Sequence, residues 1–201
     1  MKGTLRISHA LIALLLACIA GAASGGEPRA WTLVATGELE GTALARAVVL
    51  AAPLPQGGHI GFIINRPTGA TMEALFPADR AARNVHDHLY LGGPYLANSV
   101  FAIARAAPDG ADATIELMPG LFALINAPSV DRVIETTPDA ARYFIGMMLW
   151  QPDELEQQVE SGAWTVRPGD ANAVFRADTA QLWNELGGRV SQKSDRGAEW
   201  I

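Results

Sequence analysis

His86-Asp87-His88 carries the metal-ligand spacing of this chain: in a strand, both imidazoles would project from one face while the carboxylate between them points away. Two ligands do not make a site. A third would have to be His59, in the turn Gln56-Gly57-Gly58-His59, or a carboxylate brought near by folding. The alternative is a polar strand entrance standing in water. Asn65-Arg66-Pro67-Thr68 ends the most apolar strand of the chain, where Arg66 could clamp a carboxylate or phosphate through two parallel N–H groups. A polar cluster at a strand exit can equally serve to satisfy loop carbonyls. Gly92-Gly93-Pro94 could present the N–H groups of Gly93 and Tyr95 as an anion nest, or mark a tight turn where another segment crosses closely.

Nucleophilic chemistry has little to stand on. Ser99 lies near the Gly92-Gly93 turn, but there is no G-x-S-x-G elbow and no S-x-x-K. Gly57-Gly58 belongs to no phosphate-loop or dinucleotide pattern. Trp150, Trp164 and Trp183 read more economically as core or groove-lining residues than as a ligand cage.

The elements that must hold these residues are mostly strands. Trp31–Ala35, Arg46–Ala52 and Ile60–Asn65 are apolar runs between turn signals, as expected of strands covered on both faces. His88–Leu91, Val100–Ala104, Ala113–Met118, Leu121–Asn126, Tyr143–Trp150 and Trp164–Val166 extend the set, with Val100–Ala104 and Ala113–Met118 expected to pair as a hairpin. Short helices are expected over Thr71–Phe76, from an N-cap at Ser129 through Glu135, from Pro152 to Gly162, and from a capping box at Asp178 through Leu186.

The chain opens with Lys2 and Arg6, then an apolar run from Ala10 to Ala20, then small residues from Gly21 to Gly26. That order predicts a secretory leader over residues 1–26, with cleavage motifs at Ala20-Gly21-Ala22 and Ala22-Ala23-Ser24. Leu15-Leu16-Ala17-Cys18 also forms a degenerate lipobox, so lipidation at Cys18 is the alternative, and only then would the protein meet a membrane. The folded domain is expected over residues 27–188, with a polar tail over 189–201. The expected location is periplasmic or secreted, or lipid-anchored through Cys18. Cleavage after Ala22 removes two basic residues and no acid, leaving 13 basic against 21 acidic side chains and a formal charge of −8. Such a surface disfavours nucleic acid, and no basic-aromatic run offsets it. Cys18 is the only cysteine, so the cleaved chain would have neither disulfides nor thiolate chemistry.

The ordered segments resemble the YqgE/AlgH family of bacterial proteins. The resemblance rests on Leu33-Val34-Ala35-Thr36, Arg46 to Leu50, Gly61 to Thr68, Leu91-Gly92-Gly93-Pro94, Trp150 with Leu155-Glu156, Glu160 to Trp164, Phe175 and Leu182-Trp183, spanning about Trp31 to Leu186. It implies an α+β fold in which a branched, mainly antiparallel sheet curls into a pseudo-barrel with flanking helices. It transfers no catalytic residues and no cofactor, because the family has no established activity. The family's Asp-Pro-x-Phe before the second strand and Glu-His after it are here Gly41-Thr42-Ala43-Leu44 and the Ala51-Ala52 region, so any role of that Glu-His pair is absent from this chain.

These observations lead to an exported, non-enzymatic domain that binds a protein or small ligand through Asn65-Arg66-Pro67 and Gly92-Gly93-Pro94. One rival is a periplasmic hydrolase or metal-assisted enzyme using His86 and His88, with Ser99 or Asp87. A second is a cytosolic transcription-associated regulator like some labelled relatives, which would need internal initiation although no Met lies between Met1 and Met72.

Overall fold

Period-two alternation decides which side of the sheet each residue faces. The computed structural model describes residues 30–110 and 113–187. The leader, Cys18 and the tail lie outside them. The described strands are β1 (Trp31–Ala35), β2 (Val48–Pro53), β3 (His59–Ile63), β4 (Tyr90–Leu91), β5 (Tyr95–Ala104), β6 (Thr114–Met118), β7 (Leu121–Leu124), β8 (Ala141–Trp150) and β9 (Trp164–Pro168). Along β2, Val48, Leu50 and Ala52 face an interior cluster with Phe62, Phe101 and Phe144, while Val49 and Ala51 face outward beneath Trp150, Leu155 and Trp164. Both sides are covered, which is why the run is continuously apolar.

The sheet runs β6-β7-β5-β8-β3-β2-β1-β9, antiparallel along this path, and branches at β8, which also pairs in parallel with β4. Its curl brings β6 close to β2, giving a half-barrel with a few helices. Gly146, at φ +69° within β8, lies at the branch. Before it Ile145 pairs with β4 and β5, and beyond it Gly61 of β3 meets Met148.

The described α-helices are α1 (Met72–Leu75), α2 (Ala127–Thr136), α3 (Glu154–Glu160), α4 (Ala171–Val174) and α5 (Leu182–Glu185). α2 lays Val130, Val133 and Ile134 over Ala102, Leu124 and Tyr143, the outer face of β5, β7 and β8. Its cap is Asn126, whose side chain accepts the Ser129 N–H at 2.9 Å. The helix therefore starts before Ser129, with Pro128 in a first turn that needs no N–H from it.

Three further local expectations are corrected. Val100–Ala104 and Ala113–Met118 do not form a hairpin, because β6 pairs with β7 and β7 then lies beside β5. The Gly120 turn at φ +74° makes β6 and β7 the hairpin instead. Asp178 does not open a helix: its carboxylate accepts the Ala180 N–H at 3.0 Å in a turn, and α5 begins only at Leu182. The strand expected from His88 begins at Tyr90, so His86 and His88 are on a loop and share no strand face.

Candidate functional site

The two motifs singled out at strand ends, distant in sequence, are zipped together by backbone hydrogen bonds. Leu91 N–H donates to the Arg66 carbonyl at 2.9 Å, Ile63 N–H donates to the Gly92 carbonyl at 2.9 Å, and Pro67 bridges Tyr90. Their polar side chains face the neighbouring loop. Asn65 accepts the Val48 N–H at 2.8 Å and donates to the Arg46 carbonyl at 2.9 Å, extending the ladder with a side-chain amide. Arg66 donates to the Ala43 carbonyl at 2.5 Å and the Ala45 carbonyl at 2.8 Å. Half-burial lowers its guanidinium pKa by desolvation. Both residues thus satisfy loop carbonyls that would otherwise be orphaned.

Gly92 and Gly93 are buried against β8. Gly92 donates to the Ile145 carbonyl at 2.8 Å, and a Cβ on either glycine would overlap the backbone of Gly146 or Met147. This corner exposes a set of apolar side chains. Pro67, Leu91, Pro94, Tyr95 and Leu96 are all exposed, and they are neighbours in the chain or across the Pro67–Tyr90 bridge. Leu96 holds φ +50°, a left-handed conformation costly for a residue with a Cβ, and the register with β8 breaks between Tyr95 and Val100.

His86 and Asp87 line a cleft of about 330 Å³ with Val85, Pro138, Asp139, Ala141, Arg142, Phe175 and Ala177. Arg142 is its best-held polar group. The side chain is 6 % exposed, donates to the Arg176 carbonyl at 2.8 Å, pairs with Asp87 at 3.2 Å and lies 4.4 Å above the Tyr90 ring, while its Nε has no partner. Across the mouth, His86 Nδ1 stands 3.5 Å from Asp139, both exposed. His88 and Ser99 do not line the cleft. Among the described residues no three His, Cys, Asp or Glu side chains are gathered to hold a metal. Sequence reasoning passed over Arg142, although a lone cation inside an apolar run was the available signal.

His59 lies instead at the start of β3, 5 % exposed, with Nε2 3.7 Å from Glu156, its ring centroid 5.1 Å from that of Trp31, and Nδ1 unpartnered. Desolvation pushes its pKa down, and the Glu156 carboxylate offsets part of that. Next to it, Gln158 Oε1 accepts the indole N–H of Trp150 at 3.1 Å and of Trp164 at 2.9 Å. Trp183 donates to the Ala35 carbonyl at 2.8 Å. All three tryptophans are buried core residues with satisfied indoles.

A family model described as AlgH-like matches residues 32–194. A UPF0301 protein of Chlamydia muridarum is 26% identical over 168 residues, covering 81% of this chain and 88% of that protein. A UPF0301 protein of Chlorobium limicola is 28% identical over 156 residues, 76% and 81% of the two chains. Among solved structures, the AlgH protein of Pseudomonas aeruginosa superposes with a TM-score of 0.64 at 20% identity, over 90% of this chain and all of that one. Protein DIP2367 of Corynebacterium diphtheriae gives 0.63 at 22% identity, over 86% and 90%. At these identities the structural matches speak for the fold.

Proposed function

The chain belongs to the AlgH-like family, and from that membership and the corner around Pro67 and Pro94 we propose an exported, non-enzymatic domain that docks a protein partner. The observation that carries this reading is the exposed apolar set Pro67, Leu91, Pro94, Tyr95 and Leu96, held on a strand segment whose pairing is interrupted. Exposed apolar side chains on a rigid support are what a protein interface uses, and unpaired strand backbone offers hydrogen bonds to an incoming chain. Asn65, Arg66, Gly92 and Gly93 build this corner from below, through their bonds and close approaches to the Ala43–Arg46 loop and β8. Their part is to position it.

Export rests on the charge, apolar run and small residues over 1–26. Against the hydrolase reading, the cleft beside His86 and Asp87 is lined by no Ser, Thr, Cys or Lys nucleophile. The acidic formal charge weighs against a role on DNA.

The test is site-specific photocrosslinking in native cells, with the photoreactive residue at Leu96 and, as a control on another strand, at Glu116. A discrete heterologous adduct from Leu96, absent from Glu116 and lost when Tyr95→Asp is added, supports the reading. Equal, diffuse labelling from both positions overturns it.

A further inference from the structure

A second cleft, of about 270 Å³, opens where β1 and β9 meet α4 and α5, and shares no residue with the corner proposed to dock protein. Thr32, Arg167, Pro168, Asp170, Ala173, Arg176, Leu182 and Leu186 line it. We propose that it binds a small aliphatic carboxylate, with the anionic end on Arg167 and Thr32 and the hydrocarbon end between Leu182 and Leu186.

Thr32 and Arg167 are directly opposite in the β1–β9 ladder, so their side chains share one face and their Cβ atoms stand roughly 5 Å apart. Thr32 is 2 % exposed, and its hydroxyl has no hydrogen-bond partner. A buried hydroxyl without an acceptor is a cost to the fold that a bound oxygen would relieve. Arg167 enters none of the ion pairs among the described residues. The other cation, Arg176, is already taken up by Glu185, to which both terminal guanidinium nitrogens donate.

The remaining walls set the rest of the ligand. Leu182 opens α5 and Leu186 caps it, its N–H donating to the Leu182 carbonyl at 3.0 Å, so the two lie one turn apart on one side, and Ala173 and Pro168 add apolar surface. Asp170 is the one carboxylate in the lining; its Oδ1 accepts the Asn172 N–H at 2.9 Å at the start of α4, which leaves Oδ2 for an ammonium group. At about 270 Å³ the cleft falls just below the usual range for ligand pockets, which favours a small molecule over a nucleotide or a long acyl chain. A four- to six-carbon acid, with or without an α-amino group, has the size and polarity that these walls match.

The experiment is ligand-observed and amide-correlation NMR on the whole protein, using 4-methylpentanoate, leucine and the uncharged 4-methylpentanamide. Saturable shifts with 4-methylpentanoate or leucine at millimolar concentration are expected, at amides of β1, β9 and α5. Arg167→Met should weaken binding about tenfold, or about 1.4 kcal/mol. Thr32→Val, which keeps the buried shape and so keeps the fold, should weaken it several-fold. Leucine binding better than the plain acid would place an ammonium on Asp170; the reverse order would leave the carboxylate as the whole of the polar recognition, and both support the class. Binding that survives Arg167→Met, binding of the amide as tight as the acid, or no saturable shift with either acid overturns the proposal.

Discussion

Gly92 and Gly146 meet backbone against backbone: the Gly146 carbonyl occupies the place where a Cβ on Gly92 would stand, and Gly146 itself sits at φ +69°. The branch of the sheet depends on this contact, because β4 can lie beside β8 only if neither chain carries a side chain there. Gly92→Ala should cost more than about 2 kcal/mol of stability in urea unfolding, the range of overpacking against unyielding backbone. Gly69→Ala, with open space around it, is the matched control and should be close to neutral. Equal stability of the two variants would show that the crossing is not needed.

Gln158 fastens α3 to the sheet by accepting from two buried indoles at once. Replacing it with Leu keeps the bulk and leaves Trp150 and Trp164 without an acceptor. Each orphaned donor costs about 1–3 kcal/mol, so the variant should lose at least about 2 kcal/mol. Urea unfolding followed by tryptophan fluorescence measures both the loss and the altered indole environment. A loss under about 0.5 kcal/mol would mean that the indoles find water or another acceptor.

His59 makes stability depend on pH in a definite direction. Burial holds its folded pKa below the 6.5 of an exposed imidazole, although Glu156 opposes the shift. Above pH 6.5 the ring is neutral in both states and its contribution is fully present. As the pH falls below that value the unfolded chain takes up the proton first, so stability is lost down to the folded pKa. Denaturant midpoints for the parent and His59→Gln, compared between about pH 7.5 and 5, should converge on the acid side. Glu156→Gln removes the group that favours the charged ring, and should steepen the parent's acid loss. Parallel profiles for parent and His59→Gln would refute the assignment.

Much of the sheet was legible because it is buried on both faces. The runs 48–52, 60–64 and 143–149 contain almost nothing but apolar residues, and such runs between turn signals leave few alternatives. Pairing was not legible in the same way. β7 lies between β6 and β5, and no local pattern in Leu121–Leu124 encodes its second neighbour. The motif-bearing residues divide similarly. Asn65, Arg66, Gly92 and Gly93 stood out by type, but their partners are backbone groups of loops far away in sequence, which composition does not reveal. Thr32 and Arg167 carry no motif at all. Their relation exists only because β1 and β9, the first and last of the described strands, are adjacent in the sheet.

The location of the protein is the prediction with the widest consequence. Lys2, Arg6, the apolar run and the small residues to Gly26 lead to an intact mass that begins between Ala23 and Glu27, recovered from the soluble periplasmic fraction of native cells. That result would put the exposed Pro94 corner among envelope proteins and remove DNA from its reach. A diacylglyceryl mass on Cys18 would tether the same domain to a membrane, so that its partner would have to lie within reach of the lipid surface. An uncleaved chain in the cytosol would overturn export and return the transcription-associated reading to consideration. The acidic formal charge would then have to be reconciled with that role, because contact with phosphates needs basic side chains that this domain does not concentrate on any one stretch.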